Sequence, residues 1–131
     1  DIVAVDLAAE VEQVVFLSQR FARKKGQSVE VGEAKEGCLA SVNPLCLHMT
    51  LFAAMERCLE DLPEGSSITV GNREDGEGGI VEFRGVGEGE GAQTSEGREY
   101  LQALADTLGV RVEPLTDGFG IRLHFPQRTG G

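Results

Sequence analysis

A guanidinium and a run of glycines are the parts of this sequence that could handle a phosphate. Arg57 lies within LFAAMERCLEDLPEGSSI, residues 51–68, and the glycines within GVGEGEG, residues 85–91. An arginine side chain has five N–H donors and no acceptor, so Arg57 could contact a phosphate directly but could not ligate a cation. The simpler reading of Arg57 is a solvated surface arginine. A glycine-rich turn binds anions when its N–H groups converge at a helix N-terminus. Here Glu88, Glu90 and Glu96 stand in or beside the run and would repel a phosphate. The plain reading is a flexible, solvated loop.

Other reactive side chains point to less. Cys38, Cys46 and Cys58 are odd in number and have no Cys-x-x-Cys spacing, which fits reduced thiols and a cytoplasmic setting. A zinc site would have to recruit His48 and His124 from distant segments, and Cys46 and His48 do not share a helix face. No metal site is expected. His48, amid Leu47, Met49 and Leu51, reads as a satisfied or half-buried histidine rather than a phospho-acceptor. Ser95 has no Gly-x-Ser-x-Gly elbow around it. The acidic pairs Glu56 with Glu60 and Glu60 with Asp61 read as solvated helix surface.

The chain of 131 residues is long enough for one domain with a real core and no disulfides. Its 40% hydrophobic and 26% charged content is that of a soluble globular protein. A net charge of -10 disfavours nucleic acid and anionic membranes as partners. The exception is the basic cluster Arg20, Arg23, Lys24 and Lys25, for which the simpler reading is complementarity to the dipole at a helix C-terminus and the alternative is docking of an acidic partner. Neither a long apolar run nor a signal-peptide pattern is present.

The elements that must position these residues follow from caps and periodicity. Asp6 caps a helix to about Lys25, with Leu7, Val11, Val14, Leu17 and Phe21 as its apolar stripe and Gly26 closing it. Residues 27–31 and 37–42 read as a β pair. Asn43 and Pro44 launch a second helix to about Asp61, which Pro63 and Gly65 stop. Residues 67–71 and 79–84 form a hairpin across a charged connection, and residues 85–91 a loop. Thr94 or Ser95 caps a third helix with Gly97, Leu101, Leu104, Ala105 and Leu108 inward and Gly109 at its end, and residues 110–113 and 119–125 close as a hairpin. Phe119, Ile121, Leu123 and Phe125 face one way there, and Arg122 and His124 the other. The order α β β α β β α β β predicts an α+β fold, a two-layer sandwich of one mixed, mostly antiparallel sheet with helices on one face.

That order, with the Leu51, Met55, Leu59, Leu62 beat running into Pro63-Glu64-Gly65 and Ile68, resembles the ATP-binding catalytic domain of sensor histidine kinases. The opening from Val5 resembles the family's entry helix and first strand, and GFGIRLHFP its last strand. The likeness spans Val5 to Pro126 and rests on order and spacing. It implies a single domain over residues 1–131, with an entry helix at 1–26 and a flexible tail at 127–131.

The resemblance also implies where nucleotide chemistry should reside. The first nucleotide motif has two asparagines, the second of which holds Mg²⁺; anchoring on Pro63, Glu64, Gly65 and Ile68 places Ala53 and Arg57 there. The second motif is Asp-x-Gly-x-Gly, whose acid accepts the adenine amino group. Here Gly85 and Gly87 keep the glycines, but Phe83 stands at the acid, and shifted registers offer only glycine. Phe83 alternates with Val81 and so should point into the core. The phosphate lid is short, about five to eight residues after Gly87.

The expectation is a degenerate histidine-kinase-type ATPase domain with no cofactor, used as a docking module in a two-component or phosphorelay system. Similar degenerate domains accompany the histidine-bearing hairpin of bacterial histidine phosphotransferases, and this chain begins too late to contain such a hairpin. The implied partner is a response regulator or a helical phosphotransfer domain, with a homodimer also open. The alternative is an active, divergent protein kinase of the histidine-kinase or anti-sigma-factor type, binding ATP in an unusual, metal-free manner through Arg57. Arg57, Gly85 and Gly87 are the residues implied as the rim of the former cleft.

Overall fold

The structure, a computed structural model, describes residues 1–76, 78–86 and 95–126, with the backbone alone at 95–97. Gly87, Glu88 and Glu90, the short lid and the tail at 127–131 lie outside the described residues. The elements are β1 (Val3–Asp6), α1 (Leu7–Lys24), β2 (Ser28–Ala34), β3 (Leu39–Val42), α2 (Pro44–Asp61), β4 (Ser67–Asp75), β5 (Gly78–Val86), α3 (Ser95–Leu108), β6 (Arg111–Pro114) and β7 (Phe119–His124).

Local chemistry sets the helix ends where the residues suggested. The Asp6 carboxylate accepts from the Ala8 N–H at 3.0 Å and the Asn43 side chain from the Cys46 N–H at 3.1 Å, each satisfying a donor that the first helical turn leaves free. Pro44 follows as the first residue of α2, where its missing N–H costs nothing. At the far end the buried Gln27 donates to the carbonyls of Leu59 and Leu62 at 3.0 and 2.9 Å, which ties the last turn of α2 to the chain leaving α1.

The main sheet has the order β2-β4-β5-β7-β6, with β2 parallel to β4 and every other pair antiparallel. α1 lies over β2 and β4, α2 over β5 and β7, and α3 over β6, so the helices cover one face. The opposite face is an ion-pair ladder. Arg122 donates to Glu82 at 2.9 Å and to Glu113 at 3.3 Å, and Arg84 to Glu82 at 3.1 Å. Between the layers, Phe83, Val81, Leu123, Val70 and Ile68 are fully buried against Leu47, Leu51 and Met55. Strand alternation thus sends apolar side chains to the helices and charges to water. No helix among the described residues is long and apolar enough to cross a membrane.

Four expectations are corrected. A short β1 precedes α1, so residues 1–26 are a strand followed by a helix. β2 and β3 do not pair with each other; β3 pairs antiparallel with β1 in a separate two-stranded sheet, while β2 joins β4 in the parallel manner that a helical crossover such as α2 permits. Gly85 and Val86 are the last residues of β5 rather than part of a loop. On α1, Leu7, Val11 and Val14 are buried, but the stripe continues through Val15, Ser18 and Ala22. Leu17 and Phe21 remain outside, 47% and 64% exposed, because the small Ser18 and Ala22 bring the helix close to the sheet.

Phe83→Ala should lower the free energy of unfolding by about 3–5 kcal/mol, read by urea denaturation. Phe16→Ala, at a side chain 75% exposed, should change it by less than about 0.5 kcal/mol.

Candidate functional site

A cleft of about 490 Å³ opens between the end of α2, the start of α3 and the β6–β7 hairpin. Arg57, Cys58 and Asp61 of α2 form its floor. Arg98, Leu101 and Gln102 of α3 face them, and Val112, Phe119 and Ile121 make an apolar wall. Cleft size and the mixture of apolar wall with a few charged groups are those of a small-molecule or side-chain pocket.

Arg57 and Asp61 sit one helical turn apart, each only 5% exposed, with Nη2 and Oδ2 separated by 3.5 Å. Arg57 is therefore buried, not the solvated arginine expected, and Asp61 is buried while Glu56 and Glu60 stay exposed. The reason is the neighbourhood: the side of α2 that carries Arg57 packs against α3, which removes it from water. Nη2 of Arg57 has no hydrogen-bond acceptor among the described residues. Burial raises the Asp61 carboxyl above its usual range, the Arg57 guanidinium pulls it down, and Glu60 adds to the rise. Cys58, 1% exposed between them, has its thiol pushed up to about 12 by burial and by Asp61.

Gly85 does not face this cleft openly. It pairs with Ile68 and Phe119, and a Cβ built on it would meet Leu62 Cδ1 at 2.5 Å and Phe119 Cδ1 at 3.0 Å. Its lack of a side chain lets Leu62 and Phe119 close behind the apolar wall. Gly120, in the wall itself, has φ of 142° and would place a Cβ 1.9 Å from the Phe83 carbonyl oxygen, so the hairpin can hold only glycine there. Phe83 is fully buried, as its alternation with Val81 implied. Of the implied rim, Arg57 lines the cleft and Gly85 supports it from beneath.

The remaining candidates stand apart. His48, on α2, lies against Glu10 of α1. His124 Nε2 lies 3.6 Å from Glu113 Oε2, on the ladder face. Cys38 and Cys58 are buried and Cys46 is partly exposed, all as free thiols. Among the described residues no group of His, Cys, Asp and Glu is close enough to hold a metal ion. Sequence reading missed Asp61 as the partner of Arg57, although the opposite charges at i and i+4 were a usable signal. Phe119 and Arg98 carried no such signal, since only the closed sheet and α3 bring them to α2.

Arg57→Ala should cost about 3 kcal/mol by leaving the Asp61 charge buried, whereas Arg57→Met with Asp61→Leu should cost much less; urea denaturation of the three proteins measures both. The folded protein holds the Asp61 proton more tightly than the unfolded chain does. The stability due to this residue is therefore complete below the ordinary value of 3.8 and is lost as pH rises through the raised value. Asp61→Asn should remove that loss, so the unfolding free energy of the native protein should fall relative to the variant's as pH rises from about 4.

No family model matches the sequence, and no curated protein matches it either. Solved structures do match over almost the whole chain. The catalytic domain of the histidine kinase ThkA superposes with a TM-score of 0.79 at 13% identity, covering 97% of each chain. The ATP-binding domain of PrrB from Mycobacterium tuberculosis gives 0.75 at 17% identity, covering 98% of this chain and 99% of its own. ThkA in complex with the response regulator protein TrrA gives 0.73 at 13% identity, covering 97% of this chain and 42% of the ThkA chain. At these identities the likeness concerns architecture, and it coincides with the element order, the mixed sheet and the helical layer described above. The chain has the fold of the ATP-binding catalytic domain of histidine kinases.

Proposed function

We propose that this chain is a signalling domain built on the histidine-kinase catalytic fold that works by docking to proteins and not by nucleotide chemistry. The observation that carries the reading is the buried Arg57–Asp61 pair on the floor of the cleft. By the sequence anchoring, Arg57 occupies the place of the asparagine that would hold Mg²⁺. Magnesium takes oxygen ligands, and a guanidinium offers none and repels the ion. Where the adenine-reading acid would stand, the fully buried Phe83 fills the core and leaves no acceptor for an amino group. The residues present therefore do not fit a magnesium nucleotide, and no cofactor is assigned.

The partner class we favour is a response regulator or a helical phosphotransfer domain, in a cytoplasmic two-component or phosphorelay pathway. Support comes from the fold shared with ThkA, which has been captured with the response regulator TrrA. The free, largely buried cysteines fit a reducing compartment. A second reading, a divergent ATP-binding kinase, draws on one observation: Arg57 lines the cleft and its buried Nη2 lacks a hydrogen-bond acceptor among the described residues, so the side chain could turn to a phosphate without metal.

Isothermal titration with ATP, run with and without Mg²⁺, separates these readings. Docking without nucleotide chemistry gives no binding tighter than about 100 μM in either condition. Tighter binding without Mg²⁺, abolished by Arg57→Met, would favour the kinase reading instead.

A further inference from the structure

We propose that the solvent-facing side of α1 is a docking face for an acidic helix with an apolar stripe, carried by a partner protein. This rests on the docking reading above and narrows it to one surface and one partner chemistry. Phe16, Leu17 and Phe21 are 75%, 47% and 64% exposed. Isolated exposed apolar residues are ordinary, but three large ones within two turns of a helix whose other side is buried make a patch. Their spacing sets two neighbouring rows along the helix: Phe16, Arg20 and Arg23 in one, and Leu17, Phe21 and Lys24 in the other. From Phe16 to Lys24, beyond the exposed Glu12 and Gln13, the face is therefore apolar and basic together.

The charge is what selects the occupant. The protein carries 12 basic residues against 22 acidic, and Arg20, Arg23, Lys24 and Lys25 fall within six positions, three in the last turns of α1 and Lys25 at its C-cap. All are exposed. Acidic side chains elsewhere take part in ion pairs with Arg84, Arg111 and Arg122 on the sheet face, whereas these cations have no carboxylate partner among the described residues. The helix dipole accounts for cations in the last turn, Arg23 and Lys24, but its effect fades within that turn. It explains neither Arg20 nor the phenylalanines beside it. Interfaces place aromatic and arginine side chains at their energetic centre, and complementary charge sets orientation and encounter rate. An acidic rim around an apolar stripe is the surface that satisfies both rows at once. An anionic bilayer would meet the repulsion of the protein's net charge of -10.

The probe is a synthetic helical peptide with leucines at i, i+3, i+4 and i+7 flanked by glutamates, together with its lysine-flanked counterpart. Binding is read by fluorescence anisotropy, and the contact surface by amide chemical-shift mapping on the whole chain. The glutamate peptide should bind with perturbations centred on residues 16–25, and weaken as salt is raised. Phe16→Ala with Phe21→Ala, and separately Arg20→Glu with Arg23→Glu, should each weaken it by about tenfold or more. Both variants alter exposed positions, and an unchanged circular dichroism spectrum and unfolding midpoint confirm that they fold. Equal binding of the lysine peptide, perturbations centred on the cleft, or no binding at millimolar peptide would overturn the proposal. So would a homodimer that the phenylalanine variant dissolves, or binding to phosphatidylserine vesicles that it abolishes. Nucleotide binding in the cleft would count against the proposed function but leave this result unaffected, so the two can fail separately.

Discussion

A guanidinium taken out of water must keep a carboxylate beside it, and both must be held by structure that does not shift. At the end of α2 the Arg57–Asp61 pair imposes that requirement. The helix must stay wound through its last turn, which the three carbonyls accepting from Gln27 enforce. The neighbouring α3 must cover the pair on one side, and the β6–β7 hairpin must wall it on another. The cleft at this end of α2 is thus built around an internal ion pair. The cleft has a charged floor of its own, and its apolar wall of Val112, Phe119 and Ile121 depends on Gly85 and Gly120 having no side chains.

The same division between buried and solvated charge runs through the sheet. On the face away from the helices, burial would raise Glu82, but hydrogen bonds from Arg122 and Arg84 outweigh it and hold the carboxyl below its usual value. That ladder is stabilised near neutral pH and weakens as acid protonates it. Asp61 behaves in the opposite sense, since burial dominates there. One chain thus holds two carboxylates with opposite pH signatures, on opposite sides of the sheet. Cations are spent on the ladder and on the cleft floor, and those of α1 are left facing water.

Much of the architecture was legible in the residues because it is locally encoded. Asp6, Asn43–Pro44, Gly26 and Gly109 mark helix ends by capping chemistry, and the β4–β5 and β6–β7 hairpins follow from alternation around turn residues. What was misread depends on distant contacts. β1 is only four residues long and exists because β3 lies beside it. β2 and β3 look like a hairpin until the parallel edge of β4 competes for β2. Leu17 and Phe21 belong to an apolar period that tertiary packing overrides with Ser18 and Ala22. For the site, the burial of Phe83 could be read from strand period alone. The burial of Arg57 could not, since arginine is rarely taken from water and only the approach of α3 does so here.

Under the proposed function, the chain's own guanidinium and carboxylate hold the cleft floor in place of a magnesium nucleotide. A crystal structure grown with millimolar non-hydrolysable ATP analogue and Mg²⁺ tests it most directly. An intact Arg57–Asp61 pair and a cleft without nucleotide are the expected result. Phosphate oxygens seated on Arg57, with Asp61 displaced and the purine lying between α2 and β7, would contradict it.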